Sequence, residues 1–546
     1  MRSNGGHAQH DFSTVASVAV ERSSFNRSHG CKLTFNPGYI YPVFCDEVLP
    51  GDTHNLQMTA FIRMTTALHP LMDNAYVDSH FFFVPNRLVW EHWRQFMGQV
   101  DNPGATPTVY TVPRMKKFVP EFNTIYDYYG VPVQNKDATI QPYDFSSLPL
   151  RGYNIIYDEW FRDENLQPPV SRTNIKFDGP DEPANYRLMR RGKRHDYFTS
   201  CLPWAQKGDP VPLPGLGAGS VITTTSLKWE VDNDLIYWRD GTPTSGLQSL
   251  YPVVDSGLKQ VHLDHPPINN APLRLDLDRS AIPKATSVSV VNPAHSGTIN
   301  QLREAFQIQK MLETDARGGT RYIEMIKAHF GVTSSDSRLQ RPEYLGGGSS
   351  PLHIQQVAQT SATNTTVSPQ GHLTGYGTVS VRNHGFTQSF DEHGFLHGFI
   401  SVRADLTYHQ GLHKMWSRET REEHYFPLMA HLGEQAVLNK EIYVTGQLAD
   451  EAVFGYQERW AEYRYKQSTL HGLMRCNVTG SLDAWHLAQN FKGIPTLSRG
   501  FIQEKPPFKR AVAVQNQPIF IGDFYFDYIS ARPMPVYSVP GFTNHF

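Results

Sequence analysis

The chain has 546 residues, with 50 Lys+Arg against 52 Asp+Glu, a formal net charge of −2, 19% charged and 12% aromatic residues. Charge is low against a typical value of roughly 25%, and so many aromatics exclude a disordered chain. No run approaches the ~18 apolar residues of a membrane-spanning helix, and near-neutrality argues against binding nucleic acid with the whole surface.

Such a surface suits burial against partners, where aromatics are enriched and most charges depleted. Cys31, Cys45, Cys201 and Cys476 show no CxxC spacing, which speaks against a disulfide framework or a zinc ribbon. The opening MRSNGGHAQHDFSTV has no apolar stretch like that of a secretory signal. The sequons at Asn26, Asn364 and Asn477 therefore carry no meaning for glycosylation, and a reducing cytosol is expected.

The first 30 or so residues are polar and mildly basic and read as an extended arm. Met58, Ala60, Ile62 and Met64 then alternate with Thr59, Phe61, Arg63 and Thr65, a strand with both faces partly apolar. Residues 76–84 form a second β-rich run closed by Pro85, which can open a helix. Val89, Trp93, Phe96 and Met97 repeat at helical spacing, as do Phe122, Ile125, Tyr126 and Tyr129 before Gly130. Tyr153, Ile156, Tyr157, Trp160 and Phe161 form the clearest helical stripe, predicted over 152–165. It reads as packing surface, with Asp158–Glu159 and Asp163–Glu164 on a solvated side.

Residues 209–297 are proline-rich and carry no helical stripe, as expected of a separate surface excursion. Helical stripes return at Leu302, Ala305, Phe306 and Leu312, and at Tyr322, Met325, Ile326, His329 and Phe330 before Gly331. Gly346 to Ser350 read as a flexible joint, and 355–368 as a polar loop. Leu396 to Leu406 alternate as a half-buried strand, and 518–529 alternate as well. Strands at both ends, with irregular helices between them, suggest an antiparallel β-core whose connections have grown helices and loops.

Catalytic constellations are scarce. GxSxG, GxxxxGK[ST] and HExxH do not occur. GLGAGS at 215–220 lacks the last glycine of a dinucleotide loop. His262 with His265, and His393 with His397 near Asp391 and Glu392, could in principle hold zinc, but glycines interrupt the second pair and chance suffices for both. The carboxylate pairs could serve a glycosidase only remotely. One cluster is denser: Arg187, Arg190, Arg191, Lys193 and Arg194 lie within eight residues, flanked by Tyr186, Tyr197 and Phe198. It reads either as a contact to single-stranded DNA, with aromatics stacking on bases, or as an arginine-rich subunit contact.

Several blocks are familiar. LPLRGYNIIYDEWFRDENLQ (148–167), RRGKRHDYFTSCLPWAQKG (190–208) and INQLREAFQIQKMLETDARGGTRYIE (299–324) resemble the major capsid proteins of gokushoviruses, single-stranded DNA phages of the Microviridae. RLQRPEYLGGGSSPLHIQQVAQTS (338–361), AHLGEQAVLNKEIY (430–443), VFGYQERWAEYRYK (453–466), LDAWHLAQ (482–489) and RPMPVYSVPG (532–541) do so too, in order, from about residue 40 onward. The main departure is 209–297, which holds no familiar block.

The resemblance implies a mainly β fold, an eight-stranded antiparallel jelly-roll sandwich with large helical and loop insertions. It implies no enzymatic activity and no cofactor. It also implies a homo-oligomeric T=1 icosahedral shell, packaged circular single-stranded DNA and a small basic DNA-binding virion protein. A surface insertion would contact a receptor on the host cell, and the virion would assemble in the bacterial cytoplasm. The expected organisation is an arm at 1–35, a first part of the jelly roll with helical insertions at 36–208, the projecting insertion at 209–297 and the remainder at 298–546. A glycan-binding or glycan-hydrolysing β-sandwich is the alternative.

Overall fold

The computed structural model describes residues 21–100, 109–134, 136–137, 139–170, 176–212, 251–255, 258–262, 299–361 and 370–537. The chain divides into two compact units, Pro210–Gln309 and the rest. In the smaller unit, Tyr251–Asp255 and Leu258–His262 pair as an antiparallel hairpin. His265 and the 215–220 glycine motif lie outside the described residues.

Ten strands build the core of the larger unit. They are β1 (Ser23–Asn26), β2 (His29–Phe35), β3 (Tyr41–Val48), β4 (Thr53–Met64), β5 (Ala75–Pro85), β6 (Glu343–Pro351), β7 (His353–Ala358), β8 (Leu373–Ser389), β9 (Gly394–Ala404) and β10 (Phe520–Arg532). One sheet runs β1-β10-β4-β8-β7, with β2 following β1 along the same edge of β10; the other runs β6-β5-β9-β3. Every pairing is antiparallel. The expected antiparallel sandwich is present; among the described residues its two sheets hold six and four strands. Ser23 to Phe35, read as part of an arm, supply an edge of the larger sheet; residues 1–20 lie outside the described residues.

Alternation explains how the larger sheet buries one face. Leu56, Met58, Ala60, Ile62 and Met64 point inward from β4, opposite Phe520, Phe524, Phe526 and Tyr528 of β10, all essentially inaccessible to water. The intervening Gln57, Thr59, Phe61 and Arg63 are exposed. Each buried large side chain contributes about 1.5–3 kcal/mol, so this stripe is a substantial part of what holds the sandwich together.

The smaller sheet departs from the expected pattern. β9 is buried on both faces rather than on one. Its outer face is covered by helix α1 (Leu148–Ile156) and a π turn, Tyr157–Phe161, which replace the single helix expected over 152–165. Tyr153, Ile156 and Tyr157 pack with Phe82, Val84 and Phe399 into a second core. The π turn also turns Asp158 inward, so this carboxylate is buried instead of solvated.

The glycine run after residue 345 is not a flexible joint. It forms part of β6 because there is no room for side chains: a Cβ on Gly347 would lie 2.1 Å from the Ser79 carbonyl oxygen. Gln355 and Gln356, expected in a loop, belong to β7. Two helices follow the expected stripes, α2 (Ile299–Gly318) and α3 (Tyr322–Phe330), the latter stopped by Gly331 at φ 68°.

Candidate functional site

The basic segment runs as an irregular strand between two loops. Arg191 N–H donates to Gly38 O (2.9 Å), Lys193 N–H to Ile502 O (2.8 Å) and Glu504 N–H to Arg191 O (2.8 Å). This backbone zipper sends successive side chains to opposite sides.

Arg190 stacks on Tyr39, its carbon 4.0 Å from the ring centre, and donates to Tyr39 Oη (2.8 Å) and Glu504 O (3.0 Å). Arg191 donates to Asp78 Oδ2 and Ser401 Oγ, both at 2.7 Å. Arg403 meets the same Asp78 oxygen at 2.7 Å. Burial alone would raise the Asp78 pKa, but the two guanidiniums hold it below the usual carboxylate value. Burial also brings Arg191 down to about 10. Arg194 lies 4.3 Å from the Tyr76 ring centre and 3.2 Å from Asp405 Oδ1.

Lys193 is buried, with Nζ 4.4 Å from the Phe501 ring centre, and desolvation lowers its pKa to about 8. The fully buried Glu504 moves the opposite way, to about 7, because burial outweighs the attraction of Lys193 and its neighbours. Arg187 alone in the cluster is exposed. The cluster is thus mainly an intrachain tie, a reading outside both alternatives framed from the sequence, and its partners are far away in the chain.

Arg191, Lys193 and Arg194 nevertheless line a cavity of about 1250 Å³, together with Arg321, Lys327, Trp160 and Tyr344. Arg321 is balanced by Glu164 and Glu324 (both 3.1 Å). Lys327 is exposed. Exposed positive charge without an ion pair among the described residues therefore stands on Lys327, in the lining, and on Arg187, outside it. Lys327 itself carries no motif and sequence reasoning did not single it out, although the stripe of the helix that bears it and the cluster that holds Arg187 are both legible.

The remaining candidates resolve into structural roles. His397 is wholly buried, bonded to Tyr129 Oη (3.0 Å) and lowered to about 3 by desolvation, whereas His393 sets its ring edge-on to Trp93. Among the described residues no group of three His, Cys, Asp or Glu could hold a metal. Asp158 accepts from Val170 N–H (2.9 Å) and lies 3.2 Å from Arg162. Asp163 accepts from Asn165 and Leu166 N–H (3.0 Å each). Carboxylates engaged in this way are not a free acid/base pair. Among the described residues, no helix is long and apolar enough to cross a membrane.

Large apolar side chains are left bare on the single chain. Leu428 is 98% exposed, Leu448 89%, Phe330 77% and Trp416 71%. They sit on α3 and in the long segment between β9 and β10, away from the sandwich core. Surfaces of this kind mark contacts with other molecules.

The comparisons agree with that reading. A family model described as "Capsid protein (F protein)" matches residues 13–542. Capsid protein VP1 of Bdellovibrio phage phiMH2K is 44% identical, with all of both chains covered. Capsid protein VP1 of Chlamydia phage 1 is 42% identical and that of Spiroplasma virus 4 is 33% identical, each over 97% of both chains. None of this supports the glycan-directed alternative. A sandwich grown over by insertions, a surface rich in bare aromatics and a match along almost the whole sequence converge: the chain belongs to the F-type capsid protein family of the Microviridae and is a major capsid protein, not an enzyme.

Proposed function

We propose that copies of this chain close into a small T=1 icosahedral shell around circular single-stranded DNA. The observation that carries the assembly reading is the bare apolar surface of the β9–β10 segment and α3. A stable contact buries on the order of 800 Å² per partner, and a shell subunit makes several such contacts at once. Side chains such as Trp416 and Leu428 then leave water only in the assembled particle.

The DNA contact in this proposal centres on the cavity beside Arg187, Arg190, Arg191, Lys193 and Arg194. Support comes from the exposed Lys327 in its lining and from Trp160 and Tyr344, aromatics of the kind that stack on bases. With a net charge of −2 per copy, a shell cannot neutralise a genome by itself, which favours a small basic virion protein as partner. The separate compactness of Pro210–Gln309 supports a projecting insertion that meets a host cell-surface receptor. The particle would assemble in the bacterial cytoplasm.

Expression of the full chain in a bacterium, followed by sedimentation and electron microscopy, tests the proposal. Closed megadalton particles of uniform size are expected. A protein that stays monomeric at high concentration would overturn it.

A further inference from the structure

Three turns of the β9–β10 segment and its continuation meet around His409. Arg475 donates to His409 O (3.0 Å). Arg510 donates through Nε and Nη2 to His486 O (3.2 and 2.8 Å), and through Nη2 to Ala488 O (2.9 Å). His486 brings Nε2 within 2.8 Å of Met474 O, and its Nδ1 faces Ala488 N–H and Arg510 at 3.2 Å. That pattern fits a neutral His486 with its proton on Nε2.

Charge in this cluster is unbalanced. Among the described residues, neither Arg475 nor Arg510 has a carboxylate within ion-pair distance: Arg475 is bonded to one carbonyl, and Arg510 to two carbonyls, a ring nitrogen and the Cys476 thiol. His409 is 6% exposed, and its ring nitrogens have no hydrogen-bond partner on another residue; only a contact with its own backbone supports the protonated ring. Burial and then Arg475, His486 and Arg510 depress its pKa. The nearest acids are committed or lie to one side. Asp73 accepts Leu487 N–H (2.8 Å) and Asn74 N–H (2.9 Å), and Asp483 acts on Cys476. A buried polar group with no partner costs about 1–3 kcal/mol, and two guanidiniums with no counter-charge sharpen the demand for an anion.

We infer that His409, Arg475 and Arg510 form a binding site for a phosphate group. Guanidinium forks match tetrahedral oxyanions, and charge-assisted bonds are roughly twice as strong as neutral ones. A phosphate offers enough oxygens to engage both arginines and His409 together, and its charge favours a protonated His409. The same chemistry is presented by inorganic phosphate and by the backbone of a nucleic acid. The inference is independent of the cavity beside Arg187.

Calorimetric titration of the purified full-length chain with inorganic phosphate, in two buffers of different ionisation enthalpy, tests it. Saturable binding with proton uptake is expected. Arg475→Gln should weaken it by about tenfold or more, with Arg475→Lys recovering part of the loss, and His409→Gln should abolish the proton uptake. Arg475 gives up one carbonyl bond in these variants; circular dichroism checks their fold, and the His409→Gln result stands if Arg475→Gln does not fold. Competition by oligothymidylate would identify a nucleic-acid backbone as the source, and saturation without competition a free ion; both support the site. No saturable response, a response unchanged in Arg475→Gln and His409→Gln, or acetate binding as well as phosphate would overturn it.

Discussion

Asp78 shows how single side chains decide what the basic cluster can do. Its carboxylate, nearly inaccessible to water, is shared by Arg191 and Arg403 at 2.7 Å each. Removing one member of such a buried group leaves a charge without its partner, at a cost of about 3–5 kcal/mol. Asp78→Asn should therefore lower the unfolding midpoint sharply. Because the folded pKa of Asp78 is depressed, its stabilisation is present above the ordinary carboxylate value. It is lost as pH falls through the folded value, so the variant and the parent should converge in acid. Urea unfolding at several pH values checks this, and a gap that widens on acidification would contradict it. Arg187 differs in kind, being exposed. On the proposed DNA contact, Arg187→Glu combined with Lys327→Glu should leave the unfolding midpoint within about 0.5 kcal/mol of the parent, while nuclease-protected DNA per particle falls. Unchanged DNA content would remove these two residues from the contact.

At the level of elements, the covering of the small sheet by α1 is the decisive contact. Gly152 lies against His397, and a Cβ there would come 2.6 Å from His397 Nε2. Alanine is otherwise better than glycine in a helix by about 1 kcal/mol. Gly152→Ala is nevertheless expected to destabilise by about 1–3 kcal/mol through overpacking. The double variant with His397→Ala should lose less than the sum of the two singles. Strict additivity in a double-mutant cycle would show that the helix does not press on β9 at this point.

The same contact shows where sequence reading stops. The alternation of β4 is legible because one face meets the core and the other meets water. That of β9 reads as half-buried because the helix covering its second face lies in a distant insertion. The glycines of β6 signal flexibility in isolation, whereas here they allow close approach to Ser79. The density of the basic cluster is equally plain in the sequence. Its partners are not: Asp78 is 113 residues from Arg191, Asp405 is 211 from Arg194 and the Glu504 carbonyl is 314 from Arg190. Pairing over such separations has no periodic or local signature. The His409 cluster escaped notice for the same reason, since its members come from three separate turns.

For the whole molecule, the argument turns on which parts the sandwich needs. The core clusters draw on β2 to β10, on residues 89–201 including α1, and on the β9–β10 segment; residues 210–309 contribute only Ala305 to the buried apolar set among the described residues. The large bare side chains proposed for subunit contacts include Phe330, Trp416, Leu428 and Leu448, all outside that stretch. If assembly energy resides there, it should survive loss of the smaller unit. Replacing 213–297 by a short Gly/Ser linker, which costs little in loop-closure entropy, is expected to leave closed particles of uniform size, lighter by the mass removed, while adsorption to host cells is lost. By contrast, Trp416→Ala with Leu428→Ala should keep the monomer fold, since both side chains are already in water. It should nevertheless raise the concentration needed for assembly, because interface hot spots of this type cost 2 kcal/mol or more, roughly a thirtyfold change in affinity. Shells lost with the linker variant but unaffected by the double alanine would reverse the assignment and place the subunit contacts in the smaller unit.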